Sequence, residues 1–566
     1  MTAYPDFPNT DLLDRIPLDA RIVLDVGCAA GALGAEYRRR NPRARLLGIE
    51  QDREAAQLAA QRLDLVANVD VEQAPLPFAL SAGIDCIIYG DVLEHLKDPF
   101  GLLRRHGEAL AEHGTMLISV PNVEHWSFAA RLLTGGWDYE ESGLFDRTHL
   151  RWFSLESMRR GLEAIGLVPC DVHPRVFQKE RAEAFAASLR PALEVLGVDP
   201  RSYAQRAAPL QYVWRVRRTP VSRVMIAATM LEPVGGVSHT RVVYPLQAIA
   251  TDPAVQTVLL ADAKLPAVPE GMPRVLVLHR PVLSGERGAE MLARVIAAGW
   301  VVVTEFDDHP GFFPALRDEG SLSFTGVHAV QTSTEPLARV LRAFNPEVRV
   351  FPNATRALPE PRNFDEPGVL TLFFGALNRE AAWPPLMKVL NEVAQWAGAR
   401  LRFCVVHDRA FFDALETPHK SFTPTCDHDT YLRLLCESEI CLMPLADTEF
   451  DRAKSDLKFV EAGACRVAPL ASDIVYGASI EDGRTGLLFR DAEELRARLR
   501  RLIAMPELAR TLADAARAYV AAERMLAYQV ADRICWYRSL WARREALTAA
   551  VRERLGGAAA QPASAA

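Results

Sequence analysis

The sequence predicts an α/β protein that carries several parallel sheets along one chain. Short runs rich in β-branched residues alternate with helical stretches through most of the 566 residues, a pattern typical of strand–helix–strand units. At roughly 150 residues per domain, this length predicts three or four folding units. A glycine-rich loop at residues 23–34 further predicts that the first unit binds a ligand, because glycine lets a backbone approach one closely.

Composition and charge exclude several classes of function. The chain is 49% hydrophobic and 24% charged, with a formal net charge of -7, whereas a nucleic-acid binder is usually basic. The nine cysteines are scattered without zinc-ligand spacing, so we expect reduced thiols, a cytoplasmic location and no metal. The N-terminal segment does not read as a signal peptide. No apolar run reaches the roughly 18–20 residues that span a bilayer, and peripheral contact with the inner face of the membrane stays open.

The first unit is predicted to hold at least five strands. They are the apolar runs RIVLDV, RLLGI, VANVDV, IDCIIY and GTMLISV, separated by helical patterns such as residues 54–63 and 99–112. Two further strands, at residues 166–172 and 212–216, flank a helical insertion at about 179–196. A polar break at residues 217–220 marks the boundary, so the first domain is assigned to residues 1–218.

Two more α/β series follow the break. The first, residues 221–355, runs from RVMIAAT to RVFPN, and a proline-rich stretch at 352–367 predicts a hinge. The second, residues 366–555, contains VLTLFFGAL, ARLRFCVVH, ICLMPL and CRVAPLAS and closes with a helix. Residues 556–566 have the composition of a disordered tail.

The glycine-rich loop has a spacing that distinguishes nucleotide-binding motifs. A strand that contains Asp25 leads into a loop with Gly27, Gly31 and Gly34. A dinucleotide fingerprint places its first two glycines two residues apart. Here they are four apart, which favours an S-adenosylmethionine loop. The alternative is an ordinary strand–turn–helix unit without a ligand.

Acidic residues follow the next strands, at the edge where open α/β sheets bind ligands. Glu50 ends the second strand, where it would accept hydrogen bonds from both ribose hydroxyls, and Asp70 would receive the adenine amino group. The fourth strand runs into YGDVLEHLKDP, which carries Asp91, Glu94 and His95. Because acids at strand ends are costly to bury without partners, a bound ligand is the simpler explanation.

Three histidines are candidates for the proton transfer that methylation of an oxygen requires. His95, His125 and His149 lie in segments predicted to border the pocket. We favour His149, within DRTHLRWF, and then His95 as catalytic residues. The alternatives are structural histidines and a loop in which Asp146 pairs with Arg147.

These motifs resemble the class I S-adenosylmethionine-dependent methyltransferases, over about residues 20–218. Bacterial members carry DVLEHL followed by VPN and DRTHLRWFS, as this chain does. The resemblance implies a Rossmann-like domain in which Asp91 lies near the sulfonium end of the cofactor and contributes to catalysis. The candidates for binding the cofactor are Asp25, Gly27, Gly31, Glu50 and Asp70.

A helical pattern in FDRAKSDLKFVEAGACRVAPLAS supplies groups that suit a nucleotide diphosphate. Lys454, Lys458 and Glu461 fall at i, i+4 and i+7 and so share one helix face. Lysine would neutralise charge that grows on a departing diphosphate, and a carboxylate would accept from ribose hydroxyls. The alternative is a solvated helix face with i,i+4 ion pairs.

From residue 221 onward the chain resembles the GT-B glycosyltransferases, particularly the large retaining family that uses nucleotide sugars. The resemblance implies two Rossmann-like halves, a nucleotide-sugar donor and no metal. In the family a glutamate often stands eight residues before Glu461, where this chain has Ala453, and a KSxxKxxE subgroup does without it. Lys454 joins Glu461 as a candidate donor-binding residue, and Lys458 is a candidate for both binding and catalysis.

Other residues of this part are candidates for the same cleft. FFGALNRE places Gly375 and Arg379 at a strand end, where the resemblance implies that Gly375 binds the donor and that Arg379 is catalytic. Gly235-Gly236 would face the cleft, and His279 is either a cleft residue or a packed one. Glu305, Asp307 and Asp308 are interpreted as acceptor contacts or a solvated loop. The helix at 524–554 is expected to brace the two halves, with membrane contact as the alternative.

The sequence leads to the hypothesis of a bifunctional enzyme of bacterial surface glycan synthesis, such as O-antigen, lipopolysaccharide or capsule. It would use S-adenosylmethionine and a nucleotide sugar on a glycan or lipid-linked glycan acceptor. One alternative is methylation of a lipid, a protein or another small molecule, with the second part serving a coupled step. Another alternative is that one part is a degenerate binding module.

Overall fold

The computed structural model describes residues 7–230, 238–261, 264–318, 321–361 and 368–558. It divides into two compact units: residues up to Arg223 with residues 250–254, and residues 224–249 with those from Val255 onward. Gly235-Gly236 and residues 362–367 of the predicted hinge lie outside the described residues. The domain bounds at 218, 355 and 366 stay predictions.

Seven strands form the sheet of the first unit: β1 Ile22–Val26, β2 Arg45–Ile49, β3 Leu65–Ala67, β4 Ile84–Gly90, β5 Leu110–Pro121, β6 Val168–Val176 and β7 Pro209–Arg217. Nine helices accompany them in the described residues: α1 Thr10–Leu13, α2 Ala32–Arg40, α3 Arg53–Ala59, α4 Pro99–Gly107, α5 Trp126–Leu133, α6 Leu155–Ala164, α7 Lys179–Ser188, α8 Arg190–Val195 and α9 Pro200–Ala207. The predicted helical insertion is therefore confirmed, with α9 added to it.

The strand order of this sheet is β3-β2-β1-β4-β5-β7-β6, in which β7 runs antiparallel to both β5 and β6. The order reverses between β1 and β4, and ligands bind outside the carboxyl ends of the strands at such a point. Two details differ from the prediction. β3 ends at Ala67, so Asp70 lies beyond the strand, and residues 110–112 begin β5 instead of ending a helix.

Two six-stranded sheets, each wholly parallel, form the second unit. The strands of the first, in chain order, are β8 Val224–Thr229, β9 Val255–Leu260, β10 Arg274–His279, β11 Val301–Glu305, β12 Ala329–Thr332 and β13 Val348–Val350. Those of the second are β14 Leu370–Gly375, β15 Leu401–Val406, β16 Lys420–Thr423, β17 Ile440–Met443, β18 Ala468–Ser472 and β19 Leu487–Phe489. The two orders are β13-β12-β11-β10-β8-β9 and β16-β15-β14-β17-β18-β19.

Helices connect the strands of both sheets, as parallel pairing requires. Beside the first sheet lie a π-helix, His239–Val243, and α10 Tyr244–Ile249, α11 Gly285–Ala297, α12 Pro314–Asp318, α13 Leu322–Thr325 and α14 Glu335–Leu341. With the second sheet come α15 Pro384–Ala397, α16 Arg409–Ala414, α17 His428–Cys436, α18 Glu449–Arg452, α19 Leu457–Ala464, α20 Ala492–Ala504 and α21 Pro506–Glu523. The chain ends in α22 Val530–Ala542 and α23 Arg544–Ala558, so the first residues of the predicted tail are helical.

The C-terminal helices return to the first sheet of the second unit. On α22, the Tyr537 hydroxyl donates to Gln331 Oε1 at 2.8 Å, and on α23 Arg554 Nη2 donates to the Val327 carbonyl at 2.7 Å. Arg524, just before them, bonds both Asp456 of the second half and the Asn353 carbonyl of the first. The predicted bracing role is confirmed. Among the helices of the described ranges, none has the length and hydropathy that crossing a bilayer requires.

Candidate active sites

The loop after β1 has a backbone that excludes larger residues. Gly27 has φ +73°, and a Cβ there would lie 2.6 Å from Val92 Cγ2. Gly31, at φ +79°, is the residue from which α2 starts. A side chain at either position would strain the backbone or clash, so the predicted glycine loop is present as a tight turn leading into a helix.

Glu50 fixes this loop to the end of β2. Its Oε2 accepts a hydrogen bond from the Ala29 backbone N–H at 2.9 Å, and its Oε1 accepts one from the Asp52 N–H at 2.8 Å. Asp25, nearby on β1, is also buried. Burial raises the pKa of Asp25 to about 7, and the charge of Glu50 adds to the increase. Two buried acids side by side would be stabilised by a positively charged ligand.

Asp70 and Asp91 occupy different environments. Asp70 is exposed in the turn after β3, where its carboxylate accepts from the Glu72 N–H and from Gln73 Nε2. Asp91 follows β4 with φ +56°. Its Oδ1 accepts from Ser119 Oγ at 2.7 Å and from Gln211 Nε2 at 2.9 Å. Asp91 is therefore held at the reversal of strand order, as expected of a site residue, whereas the role of Asp70 stays a prediction.

Two of the three candidate histidines lie together. The rings of His95 and His149 are 4.8 Å apart between centroids, in an edge-to-face arrangement. Burial lowers the pKa of His149, and the charge of His95 lowers it further. His125 instead caps α5, with its Nδ1 2.7 Å from Ser127 Oγ, so the structural alternative applies to it.

The loop that carries His149 differs from its predicted alternative. Arg147 pairs with Glu141, not with Asp146. Asp146 instead accepts from the Thr148 hydroxyl at 2.6 Å and from the Thr148 N–H at 2.7 Å. An Asp–Thr turn therefore shapes this loop.

The second unit holds a cavity of about 320 Å³ lined by residues from both of its halves. Its cationic lining residues are Arg241, Arg280, Arg379, Lys454 and Lys458, and its anionic ones are Asp307 and Asp308. Arg241 is already neutralised by buried Glu305, with which it forms two hydrogen bonds of 2.9 and 3.0 Å. Lys458 is likewise paired with buried Glu461. Three cations, Arg280, Arg379 and Lys454, against two acids still leave the wall positive, which suits an anionic ligand.

Lys458 is held in place at this wall. Its Nζ donates to Glu461 Oε2 at 3.1 Å and to the Tyr431 hydroxyl at 2.7 Å. Glu461 Oε1 lies 3.2 Å from His428 Nε2. Burial opposes ionisation of Glu461, yet Lys458 and His428 together lower its pKa to about 2. Glu461 is thus an ionised carboxylate that lies next to the cavity residue Lys458 without lining the cavity itself.

Lys454 lines the same cavity, but it is not on the helix of Lys458. That helix begins at Leu457, after Asp456, and Lys454 lies in the preceding turn, where its N–H bonds the Asp451 carbonyl. The predicted shared helix face is therefore wrong for Lys454. Its Nζ donates to both oxygens of Asp308 at 3.0 Å, which joins the two halves across the cavity.

The strand end after β14 contributes Gly375 and Arg379. A Cβ at Gly375 would lie 2.5 Å from the Phe373 ring and 2.7 Å from that of Tyr431, so this position has no room for a side chain. Arg379 donates to the Leu377 and Asn378 carbonyls, and its guanidinium lies 4.0 Å from Asp451. Both candidates line the cavity.

The acidic residues at the end of β11 lie in two different environments. Asp307 and Asp308 line the cavity, as an acceptor contact would. Glu305 is fully buried and bound to Arg241, so neither interpretation made for it is right. His279 also lines the cavity, and burial lowers its pKa to about 4.

Several residues that complete these sites were not predicted from the sequence. They are Ser119 and Gln211 at Asp91, and Tyr431, His428 and Arg241 around the cavity. Each lies more than 25 residues along the chain from the group it contacts in these sites. A single sequence carries no signal for such pairs.

Comparisons with known proteins identify two classes of transferase domain. The family model described as a methyltransferase domain matches residues 7–171. The model described as glycosyl transferase-like matches residues 388–535. The chain therefore carries a methyltransferase domain followed by a glycosyl transferase-like domain, which confirms the predicted pairing.

Individual relatives each match part of the chain. Trans-aconitate 2-methyltransferase of Afipia carboxidovorans is 28% identical over 116 residues, which are 20% of this chain and 44% of that protein. Ubiquinone biosynthesis O-methyltransferase of Dinoroseobacter shibae is 28% identical over 174 residues, 30% of this chain and 68% of that protein. The chain thus spans less than half the length of the first. Sucrose-phosphate synthase from Thermosynechococcus elongatus, a solved structure, is 15% identical with a TM-score of 0.40, covering 56% of this chain and 100% of its own.

Proposed function

We propose that this chain is a bifunctional transferase. Its first unit would transfer a methyl group from S-adenosylmethionine, and its second unit a glycosyl group from a nucleotide sugar. The observation that carries the proposal is a fixed carboxylate in each unit, one directly after β2 and the other on α19. Glu50 is held against the glycine loop, and Glu461 is held by Lys458 beside the cationic cavity.

In the first unit the geometry supports a cationic nucleoside as ligand. Gly27 and Gly31 hold the loop in a tight turn that leads into α2. Glu50 would accept from ribose hydroxyls, and buried Asp25 favours the positive charge of S-adenosylmethionine. Asp91 would mark the acceptor side, together with His95, four residues further along the chain, and His149, whose ring packs against that of His95.

In the second unit the charge of the cavity supports a sugar diphosphate. A volume of about 320 Å³ falls within the range of small-molecule sites. Lys458 and Arg379 would neutralise charge on the departing nucleoside diphosphate, an electrostatic contribution to catalysis. Glu461 fixes Lys458 from beside the cavity, and the resemblance to the retaining family implies that it would also hold the ribose.

The acceptor we propose is a sugar of a bacterial surface glycan, free or lipid-linked. The half-exposed rings of Trp137, Tyr139 and Trp152 lie close to His149 along the chain. Flat rings with an apolar face and a polar edge suit a sugar, which presents both kinds of surface. Methylation of a lipid would use the same rings, so acceptor profiling must separate the two.

Incubation of the full chain with methyl-labelled S-adenosylmethionine, a panel of labelled nucleotide sugars and glycan acceptors tests the proposal. We expect both labels to be incorporated into glycan, with one nucleotide sugar preferred. Incorporation of the methyl label into lipid or protein instead would replace the glycan assignment. Failure to incorporate either label would contradict the proposal as a whole.

Replacing Glu50 by glutamine is expected to weaken S-adenosylmethionine binding by about 10- to 100-fold, or about 1.4–2.7 kcal/mol. An amide cannot offer two anionic oxygens to ribose and also accept both backbone N–H groups. Calorimetric titration of the full chain measures the change. The exposed Glu54→Gln variant on α3 is the control, and equal affinity of the two variants would contradict the role of Glu50.

A further inference from the structure

Three side chains at the sheet edge of the first unit converge on one point. Glu94, His95 and His149 each offer a ligand atom, and these atoms all lie within 4.8 Å of one another. Glu94 and His95 belong to a short 3-10 helix that follows β4. The Glu94 carbonyl accepts from the N–H groups of Leu150 and Arg151 at 2.7 and 3.0 Å, which fastens the loop of His149 beside that helix.

The Glu94 carboxylate has no hydrogen-bond partner within the described part of the chain. Both of its oxygens are buried and unbonded, and the residue is 1% exposed. His149 Nδ1 is also buried without a partner there. A buried polar group left unsatisfied costs about 1–3 kcal/mol, and a charged one more. These atoms therefore need a bonding partner that is not part of the protein chain.

The surroundings of His95 orient its ring toward the same point. The Thr148 hydroxyl donates its proton to Asp146 at 2.6 Å, so its oxygen accepts from His95 Nδ1, 2.9 Å away. This arrangement places the proton of His95 on Nδ1 and leaves the lone pair of Nε2 free. A carboxylate and a hydroxyl behind a histidine are the kind of support that metal-binding histidines have.

We propose that Glu94, His95 and His149 bind a divalent transition-metal cation. Two imidazoles and one carboxylate form a donor set that zinc uses in catalytic sites, where a fourth position stays open. Imidazole nitrogen favours zinc, iron, cobalt or nickel over magnesium and calcium. Ligand atoms of a tetrahedral ion of this kind are about 3.3–3.6 Å apart, so side-chain adjustments of about 1 Å would close the present arrangement around it.

The metal site goes beyond the methyl transfer proposed above, because ion binding needs neither cofactor nor acceptor. It also reassigns His95 and His149, which would be ligands and not proton acceptors. A cation at this edge would lower the pKa of a hydroxyl that binds to it. The expectation of no metal rested on the absence of any Cys/His cluster with zinc-ligand spacing. His149 lies 54 residues beyond His95, so this pair produces no such spacing.

The test uses the full chain, stripped with a chelator and titrated with Co²⁺ and, separately, with Zn²⁺. Visible absorption follows Co²⁺, and mass spectrometry of the desalted protein counts Zn²⁺. We expect about one ion per chain, and at least a roughly 10-fold loss of affinity in Glu94→Gln. Glu112→Gln and His113→Ala, both exposed, are matched controls that should bind as the unmodified chain does.

A second variant covers the case in which Glu94→Gln does not fold. His149→Cys keeps a ligand at that position, so it should bind Co²⁺ and add a thiolate charge-transfer band. Absence of saturable binding of either ion by the unmodified chain would overturn the proposal. Equal affinity of folded Glu94→Gln and the unmodified chain, or a His149→Cys spectrum without the new band, would do the same.

Discussion

The Glu305→Gln variant is expected to lose about 3–5 kcal/mol of unfolding free energy in the second unit. Glu305 and Arg241 are both buried and joined by two hydrogen bonds. Removing the negative charge leaves a buried guanidinium uncompensated, which costs more than the pair itself contributes. The size of the effect therefore reports the cost of an unpaired charge.

The pair also organises several elements around it. Arg241 Nη1 donates to the Phe351 carbonyl at 2.7 Å and to Asn353 Oδ1 at 2.9 Å. Gln331 Nε2 donates to Glu305 Oε2 at 2.8 Å, and Gln331 in turn accepts from Tyr537 on α22. One network thus connects the π-helix, two strands and the C-terminal helix, so we expect its loss to loosen α22 as well.

Denaturant unfolding, followed by intrinsic fluorescence, measures this effect in the full chain. The exposed pair Arg342–Glu335 supplies the control, because Glu335→Gln makes the same chemical change at the surface and should alter stability little. The double variant Arg241→Met/Glu305→Leu should recover most of the loss. If Glu305→Gln and Glu335→Gln unfolded alike, the buried pair would not have the importance given to it here.

The parts of the fold that follow from local pattern were predictable. β-branched runs placed most strands, and glycine spacing located the loop at Gly27 and Gly31. The antiparallel position of β7 between β5 and β6 could not be predicted. Pairing between strands that are far apart in the chain produces no pattern within the short sequence of either strand. The same reason explains why the Arg241–Glu305 pair was missed, with 64 residues between its members.

The same distinction between local pattern and long-range contact applies to the site residues. Glu50, Asp91, Lys458 and Glu461 could be proposed as site residues because each stands at a strand end or on a helix whose period is visible in the sequence. Lys454 was misplaced because helical spacing alone does not show where a helix begins. The helix starts after Asp456, whose carboxylate is bound to Arg524 by hydrogen bonds of 2.6 and 2.7 Å, a contact that comes from 68 residues away.

Substitution of Lys458 by methionine is expected to lower the kcat of glycosyl transfer, or of donor hydrolysis, by about 10²–10³. Lys458 lines the cavity, and its ammonium group is fixed by Glu461 and Tyr431, so it is ready to meet charge that develops on a leaving diphosphate. Lys454 pairs with Asp308 of the other half across the cavity, and Lys454→Met should therefore act mainly on KM.

A fall in kcat in one variant and a rise in KM in the other would distinguish these roles from a general loss of positive charge. Exposed Lys388→Met on α15 is the matched control and should leave both constants unchanged. Assays of nucleoside diphosphate release with the preferred donor give kcat and KM for all three variants, with thermal unfolding as a check on folding. If Lys458→Met retained the kcat of the unmodified chain, the charge that assists departure of the diphosphate would have to come from Arg379 or Arg280. The other two cations of the cavity wall, Arg241 and Lys454, are paired with Glu305 and Asp308. Arg280 Nη2 also lies 3.9 Å from Asp308. Arg280 is itself 2.7 Å from Asp307, which makes Arg379 the residue to replace next.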